Sequence, residues 1–168
     1  MKYIFLLFLS SPIFAQTKDS AAVDCKLIKA IDPYTKEKTI SSGFIQMQGG
    51  SLTIDATKQE VDMLFTISGV DKCFTDQSMA TIFFAGTKMK LSQRNTGSMN
   101  CEGIFHFSFR NTATPPILLR RFSTQKIEKI VFVGNNKKES TVTLTPEQQQ
   151  MLLDLSHCMA NESPTLLQ

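Results

Sequence analysis

Tryptophan is missing from these 168 residues, and tyrosine and histidine occur only twice each. Two imidazoles leave few general bases for hydrolytic chemistry. The aromatic content is thirteen Phe, which alternate along strand-like segments as core residues do and offer no base-stacking platform. With 8 Gly, 6 Pro and 42% apolar residues, the chain is neither collagen-like, low-complexity nor disordered. No G-x-G-x-x-G, P-loop or G-x-S-x-G occurs, which removes the usual signatures of dinucleotide, nucleotide and serine-hydrolase sites. The D-x-[DN]-x-[DN]-G calcium loop is also absent. No C-x-x-C occurs either, so zinc ribbons and thioredoxin-like redox sites gain no support. Only one strongly apolar run exists, which excludes a polytopic membrane protein.

That run lies at the start. Residues 1–15, MKYIFLLFLSSPIFA, place Lys2 before seven apolar residues, then a Ser-Ser-Pro break, then Ala15. This is the pattern of a cleaved signal peptide. It is too short to cross a ~30 Å hydrocarbon core, which needs ~20 apolar residues. The expectation is export to the periplasm or beyond, with no membrane span in the mature chain. Residues 16–24 read as a flexible lead-in, 25–160 as one domain and 161–168, broken by Pro164, as a loose tail.

Cys25, Cys73, Cys101 and Cys158 all follow the expected cut. An even count in an exported chain reads as two disulfides. Cys73 precedes and Cys101 follows a pair of hairpin-linked strands at 78–85 and 88–93, so both emerge at one end of a sheet. Cys73–Cys101 is therefore expected, and Cys25–Cys158 by elimination. The rival is a metal site built from Cys73, Cys101, Cys158 and a histidine. It is disfavoured because His157 and Cys158, adjacent on a helix, point about 100° apart. No cofactor is expected.

Alternation is clearest at 60–67, where Val61, Met63, Phe65 and Ile67 oppose Glu60, Asp62 and Thr66. It recurs at 103–110, where Phe105, Phe107 and Phe109 oppose His106, Ser108 and Arg110. The segment 78–85 is apolar on both faces and reads as a covered central strand. Residues 39–48 and 51–56 read as a hairpin, 117–122 as a helical turn or packed loop, and 126–133 with 141–144 as another strand pair. Thr145, Pro146 and Gln148 form a helix start with a capping box. The helix is expected to run to about residue 159, with Met151, Leu155 and Cys158 on one stripe and Leu152 and Met159 beside it. The fold class expected is α+β: about eight or nine mainly antiparallel strands and one C-terminal helix. The alternative is a β-sandwich with an appended helix. In its leader, cysteine placement, β-rich body and terminal helix the chain resembles small secreted proteins of Bacteroidota, a likeness that brings no known activity with it.

Charge is distributed unevenly. Residues 86–140 hold ten Lys and Arg against three acids, residues 16–85 seven against nine, and residues 141–168 none against three. Lys88, Lys90, Arg94, Arg110, Arg120 and Arg121 are the candidate ligand-binding face, suited to an acidic envelope protein or an anionic polymer rather than to a specific nucleic acid. The alternative is a small envelope hydrolase or carbohydrate-active protein. It would use Glu60 and Asp62, which sit roughly 7 Å apart on one strand face. No catalytic residue is assigned: His106 reads as a surface histidine in a sheet, and His157 as a helix-end cation.

Overall fold

Among the described residues, the regions rich in alternating apolar residues form ten strands in two antiparallel sheets. The computed structural model describes residues 25–69, 72–135 and 137–168. The expected signal peptide and lead-in lie outside the described residues. The first sheet contains β1 (Ile28–Ile31), β2 (Lys38–Ser41), β3 (Ile45–Met47), β4 (Gly50–Ala56), β5 (Glu60–Ile67) and β8 (Ile104–Arg110). Its order is β1-β2-β4-β5-β8, with β3 also on β4. The second contains β6 (Met79–Phe84), β7 (Lys90–Arg94), β9 (Ile127–Val133) and β10 (Glu139–Thr143), in the order β10-β9-β6-β7. The protein is α+β and mostly antiparallel, with its main helix at the C-terminus.

The two sheets meet through phenylalanine. Val61, Met63, Phe65 and Ile67 of β5 and Phe105 and Phe107 of β8 are buried. Phe132 of β9 meets them from the opposite sheet, with ring centroids 5.3 Å from Phe65 and 5.1 Å from Phe105. Phe74, in the loop before β6, closes the cluster at 6.3 Å from Phe132.

Two local expectations change, and a third is settled between its alternatives. The strand expected over 39–48 is two strands, because the chain leaves the ladder at Ser42. There Ser42 Oγ accepts from Ile54 N (2.9 Å), and Gly43 takes φ +67°, a left-handed conformation that suits glycine. β6 is central but covered on one side only: Ala80, Ile82 and Phe84 are buried, while Met79, Thr81 and Phe83 are half-exposed. Residues 117–122 form a helix, α1 (Ile117–Phe122), whose Leu118, Leu119 and Phe122 are buried.

The main helix, α2 (Pro146–Glu162), starts as expected. Thr145 Oγ1 accepts from Gln148 N, and Gln148 Oε1 accepts from Thr145 N at 2.9 Å. Such a cap contributes about 1 kcal/mol. The inward stripe, however, is Leu152, Ser156 and Met159 with Cys158. Met151 is 48% exposed and Leu155 only partly buried. Nor is the tail loose. It forms a 3-10 helix (Ser163–Leu167) in which Ser163 and Leu166 are buried. Asn111 Nδ2 holds it by donating to the Ser163 carbonyl (2.8 Å).

The disulfides are Cys25–Cys158 and Cys73–Cys101. No cysteine is free, so the cysteine-based metal site is ruled out. Among the described residues no group of three or more His, Cys, Asp or Glu is placed to hold a metal ion, and no helix is long and apolar enough to cross a membrane.

Candidate functional site

The outer face of the second sheet is the most distinctive surface. Pairing register places three rows across it: Glu139–Val133–Met79–Arg94, Thr141–Val131–Thr81–Ser92 and Thr143–Lys129–Phe83–Lys90. Met79, Phe83, Val131 and Val133 are half-exposed, and cationic side chains stand beside them. Phe83 sits between Lys90 and Lys129, with Lys129 Nζ 5.0 Å from the ring centroid. A cation at that distance is drawn to the ring face, so Phe83 tolerates exposure that would otherwise favour burial. Lys88 lies in the turn leading into β7, so Lys88, Lys90 and Arg94 follow the sheet's free edge. Lysine and arginine on an edge also discourage unselective strand pairing.

The six expected cations therefore fall in three places. Lys88, Lys90 and Arg94 belong to this face. Arg110 lies on the other sheet, opposite Glu60 of β5. Arg120 and Arg121 are exposed on α1. None of the six makes an ion pair with a described acid. The half-exposed Phe83 was missed because 78–85 reads as apolar on both faces, which suggests cover on both sides, and Lys129 because the pairing of β9 with β6 is not legible in sequence.

The outer face of the first sheet brings the acidic candidates together. Asp55, Asp62 and Ser108 stand in one cross-strand row, beside a Glu60–Arg110 row and a Leu64–His106 row. His106 Nδ1 lies 3.2 Å from Asp62 Oδ2, and Ser108 Oγ donates to Glu60 Oε2 at 3.0 Å. The hydroxyl thus serves a carboxylate and not the imidazole, so the nucleophile–base contact of a serine hydrolase is not made. Three cavities, of about 220, 510 and 420 Å³, open elsewhere, and none is lined by Glu60 or Asp62. The second of them includes Arg110 with Lys58 and Asn111.

The strand edge beside His106 is closed by side chains. Asn95, 2% exposed, accepts from His106 N (2.8 Å) and Gly97 N (3.2 Å), and its Nδ2 donates to the carbonyls of Thr75 and Gly97. Thr96 Oγ1 accepts from Ser108 N at 2.8 Å. Residue 97 must be glycine here, since a Cβ would come within 2.7 Å of the His106 ring. These contacts occupy the outer edge of β8 where the chain crosses from one sheet to the other. His157 is exposed near the end of α2 and contacts Asn161 one turn on, at 3.0 Å.

Burial raises the Asp62 pKa. Attraction to His106 opposes the shift, and Glu60 and Asp55 add to it. From about pH 4, the ordinary aspartate value, up to its folded pKa, this group binds more protons in the native state than in the unfolded chain. Its contribution to stability is therefore present at low pH and declines as pH rises through that window. Asp62→Asn removes the ionisation. Relative to wild type the variant gains stability as pH rises above about 4, measured as urea midpoints at each pH. A variant that loses ground with rising pH would contradict the assignment.

A scan against family models and searches of curated proteins and solved structures return no match. The functional reading therefore rests on the geometry of a disulfide-linked two-sheet domain.

Proposed function

We propose that this chain is an exported, non-enzymatic binding domain that engages an acidic segment of an envelope protein through the outer face of its second sheet. The observation that carries this is the half-exposed lane of Met79, Phe83, Val131 and Val133, flanked by Arg94 and Lys90 of β7 and by Lys129 at Phe83, with Glu139 the one acid beside it among the described residues, at Val133. Cations alone would suit any polyanion. A lane of apolar side chains beside them favours a partner that alternates acidic and apolar groups, as an extended polypeptide does. Export rests on residues 1–15, and two disulfides accord with an oxidising compartment.

The test compares a labelled peptide of alternating Glu and Val with poly-glutamate, at low and high salt. The Glu/Val peptide binds more tightly, and salt weakens it. Lys90→Glu/Arg94→Glu abolishes binding, whereas Arg120→Glu/Arg121→Glu leaves it intact. Equal binding of poly-glutamate would favour an anionic polymer, and indifference to the β7 reversal would remove the face from consideration.

The second reading, a small envelope hydrolase or carbohydrate-active protein on the Glu60/Asp62 face, draws on the Asp62–His106 contact. Under it, activity against a panel of chromogenic glycosides or esters would disappear in Asp62→Asn.

A further inference from the structure

Away from both sheet faces discussed above, a cavity of about 420 Å³ opens between the β1–β2 hairpin and the C-terminal 3-10 helix. We propose that it is a binding site for an aliphatic carboxylate of fatty-acid type, distinct from the acidic-partner face.

The hairpin register builds the site. Lys29 stands opposite Ile40, and Ile31 opposite Lys38. The same side of this two-stranded ribbon therefore presents two apolar and two cationic side chains in a diagonal arrangement. Thr165 and Leu166 supply the facing wall. Ile40 and Leu166 are buried and join the cavity to the main core, whereas Ile31 is 62% exposed. The apolar surface thus runs from the core outward to a cationic mouth. Lys29 is already engaged by Glu162 at 2.9 Å. Lys38 is exposed and has no acidic partner among the described residues, and no acid lines the cavity. One uncompensated positive charge beside an apolar hollow calls for an occupant with an apolar body and one negative head. The volume is in the range of small-molecule sites.

The walls are also held in place. Cys25, just before β1, is joined to Cys158 of α2, and α2 runs directly into the 3-10 helix. The Lys29–Glu162 pair bridges the same two parts. Both sides of the cavity are cross-linked independently of any occupant, so little ordering cost falls on binding.

Sodium decanoate, titrated below its micellar concentration into the disulfide-intact protein, is the probe, read by calorimetry and by amide NMR shifts. Saturable one-to-one binding is expected, with shifts at residues 29–31, 38–40 and 165–166. Lys38→Met should weaken decanoate about fivefold, the worth of one partly exposed ion pair, and leave decanol binding unchanged. Ile31→Asp should weaken both ligands. Both positions are exposed, and unchanged thermal unfolding of each variant verifies the fold. Vesicles of phosphatidylglycerol form a second arm: binding to them without binding to decanoate would mean a membrane surface and overturn the proposal. So would non-saturable decanoate uptake, or decanoate affinity indifferent to both substitutions.

Discussion

Phe132→Ala lowers the unfolding free energy by about 3–5 kcal/mol, the range for removing a large buried aromatic side chain. The reason is position more than size. Phe132 is completely buried in β9 and meets Phe65 of β5, Phe105 of β8 and Phe74 of the intervening loop. The cluster is continuous around it: Phe74 and Phe105 lie 5.3 Å apart nearly perpendicular, and Phe65 meets Phe107 at 5.2 Å edge to face. Such geometries add to the burial of each ring. The backbones of Phe65, Phe105 and Phe107 are fixed in a seven-pair β5–β8 ladder, so these rings cannot easily collapse into the space left behind. The lost volume persists as a cavity, which places the cost toward the upper end. Urea unfolding monitored by circular dichroism measures the effect. Phe44→Ala is the control: that ring is 78% exposed, and its loss should change stability by less than about 0.5 kcal/mol. A Phe132→Ala loss no larger than the control would mean that the two sheets do not share this core.

Short-range features were legible from the residues. Strict alternation in β5 and β8 identified their inward faces, because a period of two has no competing interpretation over seven or eight residues. The Thr145–Gln148 box marked the start of α2 for the same reason: its chemistry is local. Cys73–Cys101 was legible once the β6–β7 hairpin was recognised, since hairpin ends return to one another. The features that stayed hidden depend on partners distant in sequence. The inward stripe of α2 is rotated from the one that hydrophobicity alone selects, and the small Ser156 takes a buried place while Met151 faces out. The C-terminal segment is ordered because Leu166 packs at β2 and Asn111 grips the Ser163 carbonyl, contacts that no local pattern announces. The cations divide among three places because β7 and β8, neighbours in sequence, belong to different sheets. Net charge by segment could identify the basic stretch but not this separation, which is a matter of strand order.

The disulfide that ties the chain's two ends together should have the larger effect of the two. Cys25 and Cys158 are 133 residues apart, and Cys73 and Cys101 are 28 apart. In the chain-entropy account, closing the longer loop stabilises by about 5 kcal/mol and the shorter by about 3.5 kcal/mol. Cys25→Ser/Cys158→Ser is expected to approach the first figure and Cys73→Ser/Cys101→Ser the second, by urea unfolding of each double variant. The losses also differ in location. β1 is an edge strand whose four residues are all exposed, so little burial holds it once Cys25 is cut. Beyond its ladder to β2, Leu27 packs partly buried against the core, and the Lys29–Glu162 pair, partly exposed, contributes only about 1 kcal/mol or less. Hydrogen exchange in Cys25→Ser/Cys158→Ser should therefore accelerate first at residues 28–31 and 163–167, while β5 and β8 keep the protection of the core. Decanoate affinity should fall with that loosening, because the same tether joins the two walls of the cavity. Equal destabilisation by the two double variants, with uniform exchange, would show that loop length and terminal anchoring do not govern this fold.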